Sequence, residues 1–236
     1  MATINYLASD FDVTTWGSLL SGDKKLTCTW ADVVRAAITL GKHNYAAIFK
    51  YNSFSKYEMI FRAAMIYTSL MEDSGTYKIR RTELFKHLDP SEKGAISYFL
   101  GLTNAKIFAE KLLDVPWLMH LDVYKPKHKL DHLGNTRPDL FGYNISKNGW
   151  VVIEAKGRSR GFSRKAFEKA KAQSQNLVSI ASQNPILNVA IQSYFPSDAI
   201  KVKIADPEAK KDGIHLDITM EKWIGYNRLD NKNKVM

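Results

Sequence analysis

Arg137–Lys156 reads RPDLFGYNISKNGWVVIEAK, and the fold is decided here. Pro138–Ile145 has the aromatic and aliphatic content of a β-strand. Ser146–Gly149 carries a Lys-Asn-Gly turn of hairpin type, and Trp150–Lys156 is an apolar run suited to a buried central strand. The two strands should fold back antiparallel. Side chains of one strand alternate between faces, so Glu154 and Lys156 share a face with Val152 and Trp150. Asp139 then lies beside Glu154, at the end of the hairpin away from the turn.

Working outward, Ser91–Leu113 predicts a long helix, with Glu92 in its first turn, an interruption near Gly101, and an end at Val115-Pro116. Trp117–Tyr124 reads as a strand and Lys125–Thr136 as a polar, basic loop. Beyond the hairpin, Ser163–Ser182 predicts a helix with Ser163 as N-cap. Leu187–Tyr194 and Ile200–Ile204 predict two more strands. Helix, three strands, helix and two strands make an α/β or α+β layered domain. Residues 1–90 read as mostly helical: Thr29 caps a helix running to Leu40 and stopped by Gly41, Lys56–Glu72 is apolar at helical spacing, and Arg81–Leu88 is a shorter helix. The expected division is a helical N-terminal region, 1–90, and a layered core, 91–236.

The chain has 236 residues with 45% apolar and 25% charged content, enough to bury roughly 70% of its unfolded surface. One cysteine, Cys28, excludes an intramolecular disulfide and a multi-Cys zinc site, and suits a reducing, cytoplasmic compartment. No apolar run approaches the roughly 20 residues of a membrane span, and Met1–Phe11 lacks the features of a signal peptide. The net charge of +10 favours an anionic partner, nucleic acid before membrane.

Two adjacent carboxylates repel unless a cation is shared between them. Oxygen ligands of this kind suit Mg²⁺, which is held by one or two carboxylates together with water and substrate phosphate. Such an ion polarises a phosphoryl oxygen and acidifies its bound water. Lys156 could orient the attacking water or stabilise developing charge. These are the parts needed for phosphodiester hydrolysis.

Pro138-Asp139, fourteen intervening residues and Glu154-Ala155-Lys156 resemble the PD-(D/E)XK nuclease superfamily, with its restriction-endonuclease-like α-β-β-β-α-β core. The resemblance covers the second half of the chain. It implies Asp139 and Glu154 as Mg²⁺ ligands (Mn²⁺ being able to substitute), the Ala155 carbonyl as a backbone ligand, and Lys156 as the catalytic lysine. It also implies a 5′-phosphate product. An acid on the preceding helix, Glu110, is the best match for a further catalytic and metal-binding member. Gln173 and Gln175 are candidates for a residue on the following helix, Gln175 being preferred. A second acid-x-lysine triplet, Glu208-Ala209-Lys210, lacks a Pro-Asp at suitable spacing and reads as a solvated turn.

Lys156–Lys171 holds seven cations and one anion in sixteen residues. Arg158, Arg160, Arg164 and Lys165 are candidate phosphate contacts, with Lys127 and Lys129 from the loop before Asp139. His120, Asp122, His128, Asp131 and His132 match no zinc spacing. Tyr45, Phe49, Tyr51, Phe54 and Tyr57, interleaved with Lys50 and Lys56, could stack bases, although core packing is the favoured use. The expectation is a metal-dependent endonuclease acting on DNA, restriction- or defence-related by analogy, working as a homodimer or with a partner subunit. A non-catalytic nucleic-acid-binding module of the same fold is the alternative. A third reading is an interaction protein that binds an acidic partner.

Overall fold

The computed structural model describes residues 1–124, 130–131, 136–196 and 199–218. The first half of the chain forms β1 (Ala2–Ser9), α1 (Val13–Trp16), β2 (Gly22–Cys28), α2 (Trp30–Thr39), α3 (Ser53–Ser69), β3 (Leu70–Glu72), β4 (Ile79–Arg81), α4 (Glu83–His87) and α5 (Pro90–Leu112). The second half forms β5 (Leu118–His120), α6 (Leu121–Tyr124), β6 (Leu130–Asp131), β7 (Leu140–Asn144), β8 (Gly149–Arg158), α7 (Arg164–Ser174), β9 (Leu177–Ile180), β10 (Leu187–Tyr194), β11 (Lys201–Ala205) and β12 (Ile214–Leu216). A seven-stranded sheet runs in the order β2-β1-β11-β10-β8-β7-β5. The chain is therefore a mixed α/β protein. Among the described residues no helix is long and apolar enough to cross a membrane.

The hairpin forms as its sequence predicts. β7 and β8 pair antiparallel, with Leu140 opposite Ile153 and Asn144 opposite Gly149. β5 adds antiparallel to β7, and β10 lies parallel to β8 across the α7 crossover. Alternation along β8 divides its buried side chains between two layers. Val151, Ile153 and Ala155 join the core with Leu100 and Phe108 of α5. Trp150 and Val152 join Phe141, Leu177 and Ile214 on the opposite face. α7 covers that second face further along, where Phe167 and Ala170 pack on Ala190.

Several expectations need correction. The region 1–90 is not mostly helical, because β1 and β2 extend the central sheet and β1 pairs in parallel with β11. Alternate residues Ala2, Ile4, Tyr6 and Ala8 are buried, which is the period-2 signature of a strand. α2 does open on the Thr29–Asp32 capping box and end before Gly41. α5 runs unbroken through Gly101. The expected strand at Trp117–Tyr124 stops at His120, where Leu121 N–H turns to the Asp139 carbonyl (3.0 Å). The helix expected to reach Ser182 ends at Ser174, and Leu177–Ile180 becomes β9 in a three-stranded sheet with β12 and β6. Leu177 and Ile180 are fully buried there, so tertiary packing overrides helical continuation. The aromatic cluster expected in the core is exposed: Phe49, Tyr51, Phe54 and Tyr57 are 57–75% accessible.

Gly101 and Gly157 mark the closest approach of α5 to β8. A Cβ on Gly157 would fall 1.7 Å from the Ser97 carbonyl oxygen, and one on Gly101 would fall 2.7 Å from Gly157 Cα. These neighbours are backbone and cannot swing aside. Gly157→Ala should therefore lower unfolding free energy by at least the ~1–3 kcal/mol typical of overpacking. Urea denaturation checks this.

Candidate active site

Asp139 sits one residue before β7, and the hairpin register carries it opposite Glu154. Two backbone amides orient the pair reciprocally. Asp139 N–H donates to Glu154 Oε2 (2.9 Å), and Ala155 N–H donates to Asp139 Oδ2 (3.1 Å). In an antiparallel pair the N–H and C=O of one residue face the same neighbouring strand. The Ala155 carbonyl therefore faces the side of the sheet that holds Asp139. The Lys156 ammonium is ion-paired with Glu154 Oε1. Glu154 is fully buried, whereas the Lys156 side chain keeps 27% of its surface exposed, so the site opens to solvent past the lysine.

Electrostatics sets this pair apart from an ordinary surface ion pair. Burial raises the Asp139 carboxyl above its usual range, against the opposing pull of the Ala155 N–H and Lys156. Burial and then the Asp139 charge push Glu154 up to about 7. Lys156 pulls Glu154 down but does not offset the other two effects. The pair thus holds less negative charge than two free carboxylates, and a cation placed between them would relieve both the desolvation and the repulsion.

The other expected members fall in different places. Glu110 is not brought to the pair. It binds Arg35 (3.0 Å) and the buried Lys106, and Lys106 also donates to the Pro116 carbonyl. α5 meets β8 at Gly101, and nine further residues of helix place Glu110 about 13 Å beyond that contact. Gln175 caps the C-terminal end of α7 and donates to the Glu208 carbonyl, so it too is turned from the pair. Gln173 faces the other way. Its Nε2 lies 3.4 Å from the carbonyl of Arg137, two residues before Asp139, and its Oε1 is buried without a partner. Among the described residues no three His, Cys, Asp or Glu side chains form a metal-binding group. The donor set is two carboxylates and one carbonyl.

Tyr98 and Gln192 border the site without having been expected there, and Asp122 borders it as well. Tyr98 is half-exposed on α5. Its hydroxyl is pushed up to about 12 by burial and by the charges of Asp139, Glu154 and Asp122, which places it within their field. Asp122, in α6, is ion-paired with Arg137 (3.2 Å). Gln192 lies opposite Lys156 in the β10–β8 register. It is fully buried, accepts from Ser163 N–H (2.8 Å) and donates to the Ser163 carbonyl (3.1 Å). This fixes the N-cap of α7 against the sheet. Gly101 was the signal that α5 approaches β8, and from it Tyr98 follows one turn earlier.

The basic segment after Lys156 is anchored by its backbone and leaves its charges free. Arg81 donates to the Ser159 carbonyl (2.9 Å), and Phe195 N–H donates to the Arg158 carbonyl (3.1 Å). Arg158, Arg160, Arg164 and Lys165 are exposed, and none pairs with a carboxylate among the described residues. Lys171 does pair, with Asp10 at 2.7 Å. Lys127, Lys129, His128 and His132 lie outside the described residues. No family model, curated protein or solved structure matches the chain.

Proposed function

We propose that this chain is a metal-dependent nuclease of PD-(D/E)XK type that hydrolyses phosphodiester bonds, in DNA before RNA. The observation that carries the reading is the reciprocal bonding of a fully buried Glu154 and a partly buried Asp139, two carboxyls aligned side by side and both biased toward the neutral form. The sequence of α5, β5, β7, β8, α7 and β10, with β10 parallel to β8, supports it by matching the α-β-β-β-α-β order of that family's core.

The residues present fit a hard divalent cation. Asp139, Glu154 and the Ala155 carbonyl would hold Mg²⁺, leaving positions for water and a phosphate oxygen. When bound, the ion would acidify a water and polarise the phosphoryl group. Lys156, tethered through Glu154, would hold its ammonium where negative charge develops as water attacks phosphorus. The bond to the 3′ oxygen breaks, giving a 3′-hydroxyl and a 5′-phosphate. Gln173 is better placed than Gln175 to position the substrate or the water beside Asp139.

The free guanidinium and ammonium groups of Arg158, Arg160, Arg164 and Lys165 would bind the phosphate backbone next to the site. Binding should weaken steeply with salt, and replacing Arg158 or Arg160 by Ala should each reduce the log–log salt slope by about 1. A fluorescence-anisotropy titration across salt concentrations reads this. A cytoplasmic role in defence against foreign DNA fits the single cysteine and the expected chemistry. The experiment that tests the proposal is cleavage of labelled DNA and RNA with Mg²⁺, abolished by chelation. Salt-sensitive binding without cleavage under any divalent ion would favour a non-catalytic nucleic-acid-binding module instead.

A further inference from the structure

We propose that the exposed face of α3 is the surface through which two copies of this chain pair. Phe54, Tyr57, Ile60, Phe61 and Tyr67 are 60–75% accessible, and at 100° per residue they fall within an arc of roughly 140° on one side of the helix. The turn leading into α3 adds Phe49, 60% accessible. The opposite side carries the buried Ser55, Ile66 and Ser69. Large aromatic and aliphatic side chains therefore face solvent on the side of the helix turned from the core.

Area and charge together select the occupant. At ~200 Å² per large side chain these six residues expose roughly 770 Å² of mainly apolar surface. That exceeds the ~300–600 Å² patch normal on a monomer, and it approaches the ~800 Å² that each partner contributes to a stable interface. No charged side chain lies within the arc; the exposed Lys56 sits about 20° outside its edge. Glu58, on its flank, is paired with both Lys42 and Arg62, each at 2.9 Å. Two copies of a chain carrying +10 repel over most of their surfaces, and an uncharged apolar stripe is where they can meet at least electrostatic cost. A two-fold axis across the stripe pairs the same patch on both copies, each residue i meeting a residue j and that j meeting i in return.

Sedimentation velocity of the full chain at tens of micromolar, without nucleic acid, tests the pairing independently of cleavage. The expected result is a dimer whose dissociation constant rises at least 100-fold in Tyr57→Asp/Phe61→Asp, with an unchanged circular dichroism spectrum and melting temperature. Phe54→Glu, at the most exposed position, is a second variant that should dissociate the dimer without affecting folding. Amides of 53–69 should gain hydrogen-exchange protection as concentration rises. A wild-type monomer at all concentrations, or a dimer that survives both variants, would overturn the proposal. A monomer whose single-stranded DNA affinity falls in the variants would overturn it in favour of base stacking on these rings.

Discussion

Asp139→Asn should reduce metal-dependent cleavage by about 10³-fold or more while leaving nucleic-acid affinity within a few-fold of wild type. The side chain keeps its shape, and its carbonyl oxygen can still accept from Ala155 N–H, so the hairpin should remain intact. What is lost is one of the two carboxylates that would hold the proposed cation, and with it the polarisation of phosphate and water. Glu154→Gln should be equally inactive, because its Oε2 anchors Asp139 N–H while Oε1 anchors Lys156. Lys156→Ala should lose about 10²–10³-fold, the usual range for one group that stabilises transition-state charge. Binding should persist in all three, since Arg158, Arg160, Arg164 and Lys165 are untouched. Single-turnover cleavage alongside anisotropy binding separates the two effects. An Asp139→Asn protein that cuts as wild type does would remove the carboxylate pair from the chemistry.

The second large effect is on stability. Glu154 titrates near 7 in the folded chain against about 4.3 when unfolded, and Asp139 is raised in the same direction. Between those values the folded state binds more protons than the unfolded state, so unfolding free energy falls as pH rises. The contribution is present below about pH 4 and is lost progressively up to about pH 7. The slope reaches at most about 1.4 kcal/mol per pH unit for each proton involved. A divalent cation should reverse this loss at neutral and alkaline pH, because binding needs both carboxylates ionised and releases protons. Metal affinity should therefore increase through pH 7. Asp139→Asn removes the repulsion on Glu154. The metal-free variant should be at least as stable as wild type at pH 8, with a flatter pH dependence and no stabilisation by Mg²⁺. Urea titrations at several pH values, with and without Mg²⁺, check each sign. Other raised groups such as Asp206 contribute equally to wild type and variant, so the difference between the two isolates the pair.

The hairpin and its two carboxylates were legible because local signals agree there. The Lys147-Asn148-Gly149 turn sets the register, and the Val-Val-Ile run sets the burial of the following strand. The caps at Thr29 and Ser163 were legible for the same reason. β1 was not: its alternation of Ala, Ile, Tyr and Ala with Thr, Asn, Leu and Ser is broken by Leu7, and its parallel partner β11 lies nearly the whole chain away. The site was readable where two strands define it and obscure where helices contribute. Gln173 and Gln175 differ by two residues, which is about 200° around a helix, so only one can face Asp139. Sequence spacing alone did not say which. Glu110 was chosen for its place near the end of α5, but the Gly101–Gly157 contact sets the phase and depth of that helix. That contact puts Tyr98, not Glu110, near the carboxylates.

The most direct measurement is a cleavage time course by wild type and Asp139→Asn. Labelled duplex DNA, single-stranded DNA and RNA serve as substrates, each with Mg²⁺ and with a chelator. The expected result is Mg²⁺-dependent cutting of DNA by wild type that leaves 5′-phosphate ends, absent with chelator and absent in the variant. Cutting that proceeds in chelator, or equal cutting by both proteins, would contradict a cation held by Asp139 and Glu154. No cutting of any substrate with Mg²⁺ or Mn²⁺ would contradict the nuclease itself.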